Sequence, residues 1–328
     1  MEVSFDECTL FKASALVTGG NFVPNQERFF SSESHKRRFE KSVGITGHFE
    51  QEDGSIINLG LRATKLLKKE NPEVFGEVAT FILMTQTSTT ALPSNSVIIQ
   101  GLAGMNEETY CIDLNQGCSG FNYGYDLALH RARSTNRPVL VVHADCYQSR
   151  IKSDANTKLL FSDVGFAYLV EPNINRKIKL VDQYFWNSGL RAETMYSSQD
   201  HWLENHFDMT ADGSIRMNGA EIYNFAIGSV AEKLKMVLAR NNLGTSDLKR
   251  VYLHQANRQL LQTLTISCGL SSDVVPINVD RYANSVSASI PILIAEDSMR
   301  FAGGDLFMIV GFGVGLSISI SIYQKKGE

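Results

Sequence analysis

The sequence has no long apolar segment and no large excess of charge of either sign. No stretch of it approaches the roughly 20 apolar residues of a transmembrane helix, so we expect no membrane span. The net charge of −4 predicts no general attraction to nucleic acid or to an anionic membrane. Residues 1–7 carry acidic side chains where a signal peptide carries basic ones, so we do not expect secretion.

Cysteine is also scarce. The five cysteines are odd in number and form no Cys-x-x-Cys pair, which argues against a disulfide framework and against a zinc site. We therefore expect reduced thiols in the cytoplasm and no bound metal. With 43% hydrophobic and 20% charged residues in 328, the chain is typical of a soluble globular protein large enough for two core-bearing units.

Short apolar runs alternate with amphipathic segments in both halves of the chain, which predicts an α/β fold with helices covering the sheets. The expected strands are 78–85, 109–114 (short and buried), 138–144, 165–170, 250–253, 305–311 and 317–323. One expected helix begins at residue 97, and the others span 119–131, 222–239, 258–267 and 288–301. Residues 171–216 are polar and aromatic, which predicts a cap or insertion outside the sheet core.

Cys118 is the most informative residue. It follows the apolar run 109–114 and the turn residue Gly117, and it precedes the expected helix. A cysteine in the first turn of a helix meets unpaired backbone N–H groups and the positive end of the helix dipole, which favour the thiolate. A single buried cysteine is more often inert core, so the other elements of a reactive site decide the interpretation.

Three further segments supply such elements. His254 follows a short strand, at the strand end where α/β proteins commonly bind ligands. Asn284 lies in a run of small and hydroxyl residues before a helix. The glycines of 311–315 allow a backbone N–H to approach a bound carbonyl closely. Taken together, they predict a sulfur nucleophile with two side-chain N–H donors and a backbone oxyanion site.

These segments resemble the β-ketoacyl-acyl carrier protein synthase III family of the thiolase superfamily, in order and spacing along nearly the whole chain. The matching segments are 115–121 (Asn-Gln-Gly-Cys-Ser-Gly-Phe), 254–258 (His-Gln-Ala-Asn-Arg), 284–291, 311–315, 87–94 and 217–223. The resemblance implies a duplicated, five-layer αβαβα thiolase fold and a homodimer. We expect a first half over 1–171, a cap lining the substrate tunnel over 172–216, and a second half over 217–328.

The resemblance also implies residue roles. Cys118 would carry the acyl group, and His254 and Asn284 would stabilise an enolate formed when a malonyl-type thioester loses CO₂. The N–H groups of Cys118 and Gly315 would form the oxyanion hole. Leu92 would enter the partner subunit's acyl pocket and limit chain length. The other expected substrate-binding residues are Asn257, Gly219 and Arg38. Acyl-CoA or an acylated carrier protein would be a substrate, and no bound cofactor is expected.

The sequence departs from the family where coenzyme A is usually held. Arg38 stands at the position of a tryptophan and Ala155, in the segment 154–158, at that of an arginine, so the adenine clamp is missing. Thr46 replaces another basic residue, and Val314 interrupts the usual glycine triplet. Basic residues 36–38 could meet a coenzyme A phosphate or an acidic carrier protein. We favour a carrier protein as donor, in fatty acid or specialised acyl or polyketide biosynthesis.

Three functions remain open at this point. The first is decarboxylative condensation of an acyl group with a malonyl-type thioester. The second is transfer of the acyl group from Cys118 to a hydroxyl or amine, which needs no enolate donors. The third is a non-catalytic partner subunit, which would normally lack the nucleophile. Retention of Cys118, His254 and Asn284 together favours the first.

Overall fold

The computed structural model describes residues 1–152 and 155–327, the latter without the side chain of Ala155. Its strands are β1 Glu2–Phe5, β2 Ala13–Thr18, β3 Phe22–Pro24, β4 Gly47–Phe49, β5 Thr80–Met84, β6 Tyr110–Leu114, β7 Val139–Asp145, β8 Val164–Val170, β9 Ile178–Asn187, β10 Met195–Tyr196, β11 Arg216–Met217, β12 Leu248–Leu253, β13 Leu306–Gly313 and β14 Ser317–Lys325. Its α-helices are α1 Glu33–Val43, α2 Ile56–Glu70, α3 Pro72–Gly76, α4 Asn95–Leu102, α5 Gly120–Thr135, α6 Ala155–Lys158, α7 Gly219–Phe225, α8 Ala231–Arg240, α9 Arg258–Cys268, α10 Val279–Tyr282 and α11 Ser289–Glu296.

Two sheets organise these elements. The first has the order β1-β2-β8-β7-β5-β6, with β5 parallel to both β6 and β7. The second has the order β12-β13-β14-β9, with β12 parallel to β13 and the other pairs antiparallel. Every residue of β2, β5, β7 and β8 is buried, as expected for strands covered on both faces.

The helices form three layers around the two sheets. Helix α2 packs on the outer face of the first sheet through Leu59, Ala63 and Leu67. Helix α5 contacts strands of both sheets and therefore lies between them, in a core that also contains α11. Helices α8 and α9 cover the outer face of the second sheet. The expected five-layer αβαβα order is confirmed.

Helix boundaries follow local sequence signals. Helix α1 begins after Ser32, whose hydroxyl accepts a hydrogen bond from the His35 N–H, and ends at Gly44 in a left-handed conformation. The expected long helix 222–239 is present as α7 and α8 joined by a π-helical segment, Ala226–Val230. Within the described residues, no helix has the length and apolar character to span a membrane.

Three sequence-based predictions are wrong. The strand expected to be buried at 109–114 is β6, an edge strand whose Tyr110 is 45% exposed. The helix expected over 288–301 ends at Glu296, where Asp297 is extended and accepts a hydrogen bond from the Met299 N–H. Segment 171–216 does not lie wholly outside the sheets, because β9 pairs with β14 along its whole length.

Candidate active site

Cys118, His254 and Asn284 line one cavity of about 500 Å³ at the junction of the two halves of the chain. They come from three segments: the turn between β6 and α5, the end of β12, and the loop before α11. The exposed residues Gly219 and Gln259 mark the mouth of the cavity. The structure therefore brings together the three residues that the sequence predicted to be catalytic.

The Cys118 turn is packed so closely that glycine is required around it. A Cβ on Gly313 would lie 2.9 Å from the Cβ of Cys118 and 3.3 Å from its sulfur, and Gly313 has a φ of 154°. A Cβ on Gly311 would lie 2.9 Å from the Cys118 carbonyl oxygen. These two glycines lie near the end of β13 and thus allow that end of the strand to cross directly over the nucleophile.

The protonation state of Cys118 differs from the sequence-based expectation. The residue is 5% exposed, and burial, followed by the nearby Asp145 carboxylate, raises the pKa of its thiol well above the ordinary value. The start of α5 favours the thiolate, but a helix terminus contributes at most about 2 kcal/mol, or roughly 1.5 pKa units. Burial outweighs it, so Cys118 rests as a thiol near neutral pH.

His254 is held in place by a backbone hydrogen bond and by a contact of its ring. Its backbone N–H donates to the carbonyl of Val310, 2.9 Å away, and its ring lies edge-on to Phe312 with centroids 5.6 Å apart. The ring is 2% exposed, and this burial lowers the pKa of His254 to about 3, although a backbone hydrogen bond with Val286 acts to raise it. The imidazole is therefore neutral near pH 7.

Ser289 is the side-chain hydrogen-bond partner of that neutral ring. Its Oγ lies 2.7 Å from Nδ1 of His254 and accepts a hydrogen bond from the Gln255 N–H at 3.3 Å. Because the Gln255 N–H occupies an acceptor position of Oγ, the serine hydroxyl hydrogen is free to donate to Nδ1. With the serine as donor the imidazole hydrogen lies on Nε2, which is the tautomer that can donate into the cavity from that atom.

Asn284 is fixed by backbone pairing and by local strain. Its N–H donates to the carbonyl of Leu160 at 2.9 Å, and its Oδ1 accepts from the Val286 N–H at 3.0 Å. With Oδ1 occupied, the Nδ2 hydrogens remain as donors for a bound group. Ala283 and Val286 have positive φ angles of 49° and 51°, which are unfavourable for alanine and especially for valine. Such strain is common where a functional side chain is held in place.

Asp145 is a site residue that the sequence analysis missed. It ends β7 fully buried and accepts hydrogen bonds from the Gln86 N–H at 2.7 Å and from the Ser287 hydroxyl at 3.1 Å. It thereby joins the loop after β5 to the loop that carries Asn284. Burial raises the pKa of Asp145 to about 7, although these hydrogen bonds lower it. An acidic residue at the end of an apolar strand was the available signal.

The expected substrate-binding residues divide into two groups. Asn257 and Gly219 line the catalytic cavity, and Asn257 also caps α9 by accepting a hydrogen bond from the Leu260 N–H at 2.9 Å. Leu92 is 90% exposed on the loop before α4, and Arg38 is exposed on α1 outside the cavity lining. Predictions for Leu92 and Arg38 therefore concern contacts beyond this cavity.

Two other predicted positions need comment. Gly315, expected in the oxyanion hole, lines a neighbouring cavity, whereas Gly313 is the glycine of that run in the wall of the catalytic cavity. The contribution of the Gly315 N–H stays a prediction. Asp154 and the side chain of Ala155, in the segment of the missing clamp, lie outside the described residues. Among the described residues, no group of three His, Cys, Asp or Glu side chains is arranged to hold a metal ion.

Known proteins resemble this chain in both sequence and fold. The family model for 3-oxoacyl-[acyl-carrier-protein] synthase III matches residues 112–189. The model for the C-terminal region of the same enzyme matches residues 238–325. The β-ketoacyl-[acyl-carrier-protein] synthase III of Synechocystis sp. is 30% identical over 250 residues, 74% of this chain and 76% of that protein. The enzyme of the same name from Latilactobacillus sakei is 25% identical over 320 residues, 95% of this chain and 97% of its own.

A solved structure supports the same conclusion about the fold. The β-ketoacyl-[acyl carrier protein] synthase III of Thermus thermophilus superposes with a TM-score of 0.82 at 24% identity, over 97% of this chain and 99% of that one. The five layers and the matched models define a thiolase-type condensing enzyme. The chain belongs to the 3-oxoacyl-[acyl-carrier-protein] synthase III family.

Proposed function

We propose that the protein loads an acyl group onto Cys118 and condenses it with a malonyl-type thioester, with loss of CO₂. The observation that carries this proposal is the neutral His254 beside Asn284 and Cys118 in one buried cavity. Simple acyl transfer requires a nucleophile and an oxyanion site, whereas two neutral N–H donors beside the sulfur also suit an enolate. Neutral donors avoid the cost of burying a charge.

In the first step, the sulfur of Cys118 attacks the carbonyl carbon of the acyl thioester. The new carbon–sulfur bond forms as the bond to the donor's sulfur breaks, and the proton of the Cys118 thiol ends on the departing thiol. Because the resting thiol has a raised pKa, this proton must leave as the attack proceeds. The N–H groups of Cys118 and Gly315 would bind the negative oxygen of the tetrahedral intermediate.

In the second step, a malonyl-type thioester loses CO₂ and becomes an enolate. The enolate oxygen accepts hydrogen bonds from Nε2 of His254 and Nδ2 of Asn284. The enolate carbon then attacks the acyl carbon on Cys118, and the cysteine sulfur leaves as a thiolate and takes a proton from water. A hydrogen bond donated by Ser289 to Nδ1 would support this role, because it keeps the ring hydrogen on Nε2.

An acyl carrier protein is the proposed donor. The basic residues Lys36, Arg37 and Arg38 lie on α1, and Phe39 and Val43 of the same helix line the catalytic cavity. A partner attracted by this charge would be positioned near the cavity, and carrier proteins present an acidic surface together with a thioester arm. Arg37 pairs with Glu33 at 3.0 Å, so Lys36 and Arg38 are the stronger candidates for this contact.

We further propose a cytoplasmic homodimer in which Leu92 contributes to the partner's acyl pocket, without a bound cofactor. All five cysteines are free thiols, as is usual in a reducing compartment. The 90% exposure of Leu92 supports a contact with a second subunit, since an isolated leucine gains nothing from protruding into water.

The test follows the mass of Cys118 and the release of CO₂ in one reaction. Incubation with an acyl thioester should add the acyl mass to the peptide containing Cys118, and malonyl-carrier protein should then remove it with release of CO₂ and formation of a ketoacyl product. Cys118→Ala should abolish the adduct, whereas Cys111→Ala, which changes a half-buried cysteine on β6, should retain it. Loss of the adduct to an alcohol or amine without CO₂ would instead establish acyl transfer, and absence of any adduct would contradict both.

A further inference from the structure

A cavity of about 300 Å³ lies far from the catalytic cavity, at the other end of β13 and of α11. Phe307, near the start of β13, lines this cavity, whereas Gly313 at the end of the same strand lines the catalytic one. Ile294, near the end of α11, lines it as well, whereas Ser289 at the start of that helix contacts His254. The two cavities have no described lining residue in common.

The floor of this distal cavity is apolar and consists of Leu10, Tyr252, Ile294 and Phe307, none of which is more than 4% exposed. The ring of Phe307 lies edge-on to that of Tyr252, with centroids 6.4 Å apart, and it also contacts the ring of Phe301, with centroids 4.8 Å apart. Packing therefore holds the floor in a fixed shape. Binding sites for small molecules typically have such a preformed, mainly apolar lining, and the volume lies at the lower end of their range.

Both acidic side chains in the lining are already paired. Asp297 accepts hydrogen bonds from Nε of Arg250 at 2.9 Å and from the hydroxyl of Tyr252 at 3.0 Å. Glu7 forms an ion pair with Lys177, which belongs to the same lining. Each of the two carboxylates is thus neutralised by a cation of its own.

Two further cations of the lining, Arg300 and Lys325, have no such partner. Neither side chain forms an ion pair with a carboxylate in the part of the chain that the structure describes. They belong to adjacent segments, because the Gly304 N–H donates to the Lys325 carbonyl at 2.8 Å and the Lys325 N–H donates to the Asp305 carbonyl at 2.9 Å. Arg300 is exposed and Lys325 is half-buried, so both lie toward the solvent side of the cavity. The distal cavity therefore combines an apolar floor with two unneutralised positive charges.

We propose that the distal cavity binds a small carboxylate with a short apolar tail, with the carboxylate at Arg300 and Lys325 and the tail on the floor. The planar guanidinium of Arg300 matches the geometry of a carboxylate, and burial of the tail removes apolar surface from water. The carboxylates of Glu7 and Asp297 in the same lining repel a doubly charged head such as a phosphate monoester more strongly than a singly charged one.

Cys8 provides a site-specific measurement, because it lines the distal cavity and is partly exposed. Methyl methanethiosulfonate is uncharged and converts the thiol to a methyl disulfide, releasing methanesulfinate. Octanoate should slow this reaction in a saturable manner, as measured by mass spectrometry of the peptide that contains Cys8. Cys111 is the internal reference, since burial raises the pKa of both thiols to about 11 and Cys111 lies outside the cavity lining. Equal slowing at the two cysteines would overturn the proposal.

Two further ligands separate the contributions of the head and the tail. Octylammonium has the same tail with the opposite charge, and acetate has the same head without the tail. Each should protect Cys8 about tenfold or more less well than octanoate, which is the factor that one charge-assisted hydrogen bond or a few buried methylenes contribute. Protection by either ligand that equals protection by octanoate would contradict the proposal. Stronger protection by octyl phosphate would overturn the assignment of a carboxylate.

Removal of the two cations tests the site directly. Arg300→Gln with Lys325→Gln should raise the octanoate concentration that halves the rate at Cys8 by about tenfold or more. The matched control is Arg176→Gln with Lys326→Gln, which removes the same charge from exposed side chains outside the lining and should leave that concentration unchanged. An unchanged rate at Cys8 without ligand shows that the cavity is intact in each variant. Equal effects of the two pairs would refute a specific site.

Equilibrium dialysis with radiolabelled octanoate measures binding without depending on the reactivity of Cys8. The wild type should show a component of binding that is lost when Arg300 and Lys325 are replaced and retained when Arg176 and Lys326 are replaced. Octanoate held in the catalytic cavity would stay bound in both variants and is thereby distinguished. If no component is lost selectively, the distal cavity does not bind a carboxylate.

Discussion

Nδ1 of His254 lies 2.7 Å from the hydroxyl oxygen of Ser289, and this contact leaves Nε2 as the ring nitrogen for a substrate. Both atoms are buried, so the hydrogen bond is not exchanged for one with water. Since α11 begins with Ser289, the helix that lies between the two sheets also supplies the hydrogen-bond partner of the imidazole. The central layer of the fold thereby supports one side of the proposed enolate site.

Ser289→Ala should slow condensation more than acyl loading. The hydrogen bond is worth about 0.5–1.5 kcal/mol, so its loss should reduce the rate of CO₂ release by roughly two- to tenfold. The formation of the Cys118 adduct should change less, because loading uses the oxyanion site rather than the enolate site. Mass spectrometry of the adduct and a CO₂ assay measure the two steps separately.

The control for this substitution is Ser14→Ala. The Ser14 hydroxyl is buried and has no hydrogen-bond partner among the described residues, so the same atom is removed without loss of a bond. Both rates should stay at the wild-type value. Equal slowing of loading and condensation in Ser289→Ala would instead indicate that Ser289 supports the cavity in general.

His143→Phe should stabilise the protein in mild acid. His143 is fully buried on β7, and neither ring nitrogen has a partner among the described residues. Burial lowers the pKa of His143 to about 3. The unfolded chain, with an ordinary histidine pKa of about 6.5, binds more protons between these values, so stability is lost as the pH falls below about 6.5. At about pH 5 the buried His143 should lower the free energy of unfolding by ~2 kcal/mol.

Urea unfolding of the wild type and of His143→Phe at neutral and mildly acidic pH measures this effect. Comparison within one pH cancels the contributions of Asp145 and Asp163, whose pKa values burial raises to about 7 and which favour the folded state in acid. The matched replacement His130→Phe changes a histidine whose side chain is 70% exposed, and it controls for the general effect of exchanging a histidine for a phenylalanine. A pH-independent effect of His143→Phe would contradict the expectation.

The sequence predicted which residues share the candidate site better than it predicted their surroundings. Cys118, His254 and Asn284 each follow or precede a regular element, and local patterns show such junctions clearly. Asp145 and Ser289 were missed because an acid at a strand end and a serine at a helix start are common residues. Their importance depends on partners distant in the chain, such as Ser287 for Asp145 and His254 for Ser289.

Strand environments were also misjudged, for a physical reason. An apolar run predicts a strand, but its burial depends on its place in the strand order. β6 lies at the edge of the first sheet and is therefore only half-buried, although its sequence matches a buried strand. β9 lies at the edge of the second sheet, where polar and aromatic side chains are both tolerated, so its composition suggested a cap.

Leu92→Ala should weaken subunit association without weakening the fold of one chain. A leucine that is 90% exposed contributes little to the stability of its own subunit, whereas burial in a partner would make its truncation cost about 2 kcal/mol or more at each contact. Dilution followed by light scattering measures association, and thermal unfolding measures stability. Leu190→Ala, which truncates a leucine that is 88% exposed, is the control. If both variants and the wild type had the same association constant, Leu92 would not be part of the interface.

Charge reversal on α1 should distinguish a carrier protein from a small donor. Lys36→Glu with Arg38→Glu removes positive charge beside Phe39 and Val43 of the cavity wall. At low ionic strength, the rate of Cys118 loading from an acyl-carrier protein should fall by about tenfold or more, because charge attraction accelerates encounter by that order. Salt should reduce the difference, since it screens exposed charges. Loading from an N-acetylcysteamine thioester should be unaffected, because that donor carries no charge to attract.

The control is Lys65→Glu with Lys69→Glu. It makes the same change of charge on α2, whose buried face packs on the first sheet, and it should slow loading from neither donor. Equal slowing by the two pairs would indicate that net charge, rather than a docking site on α1, controls the encounter.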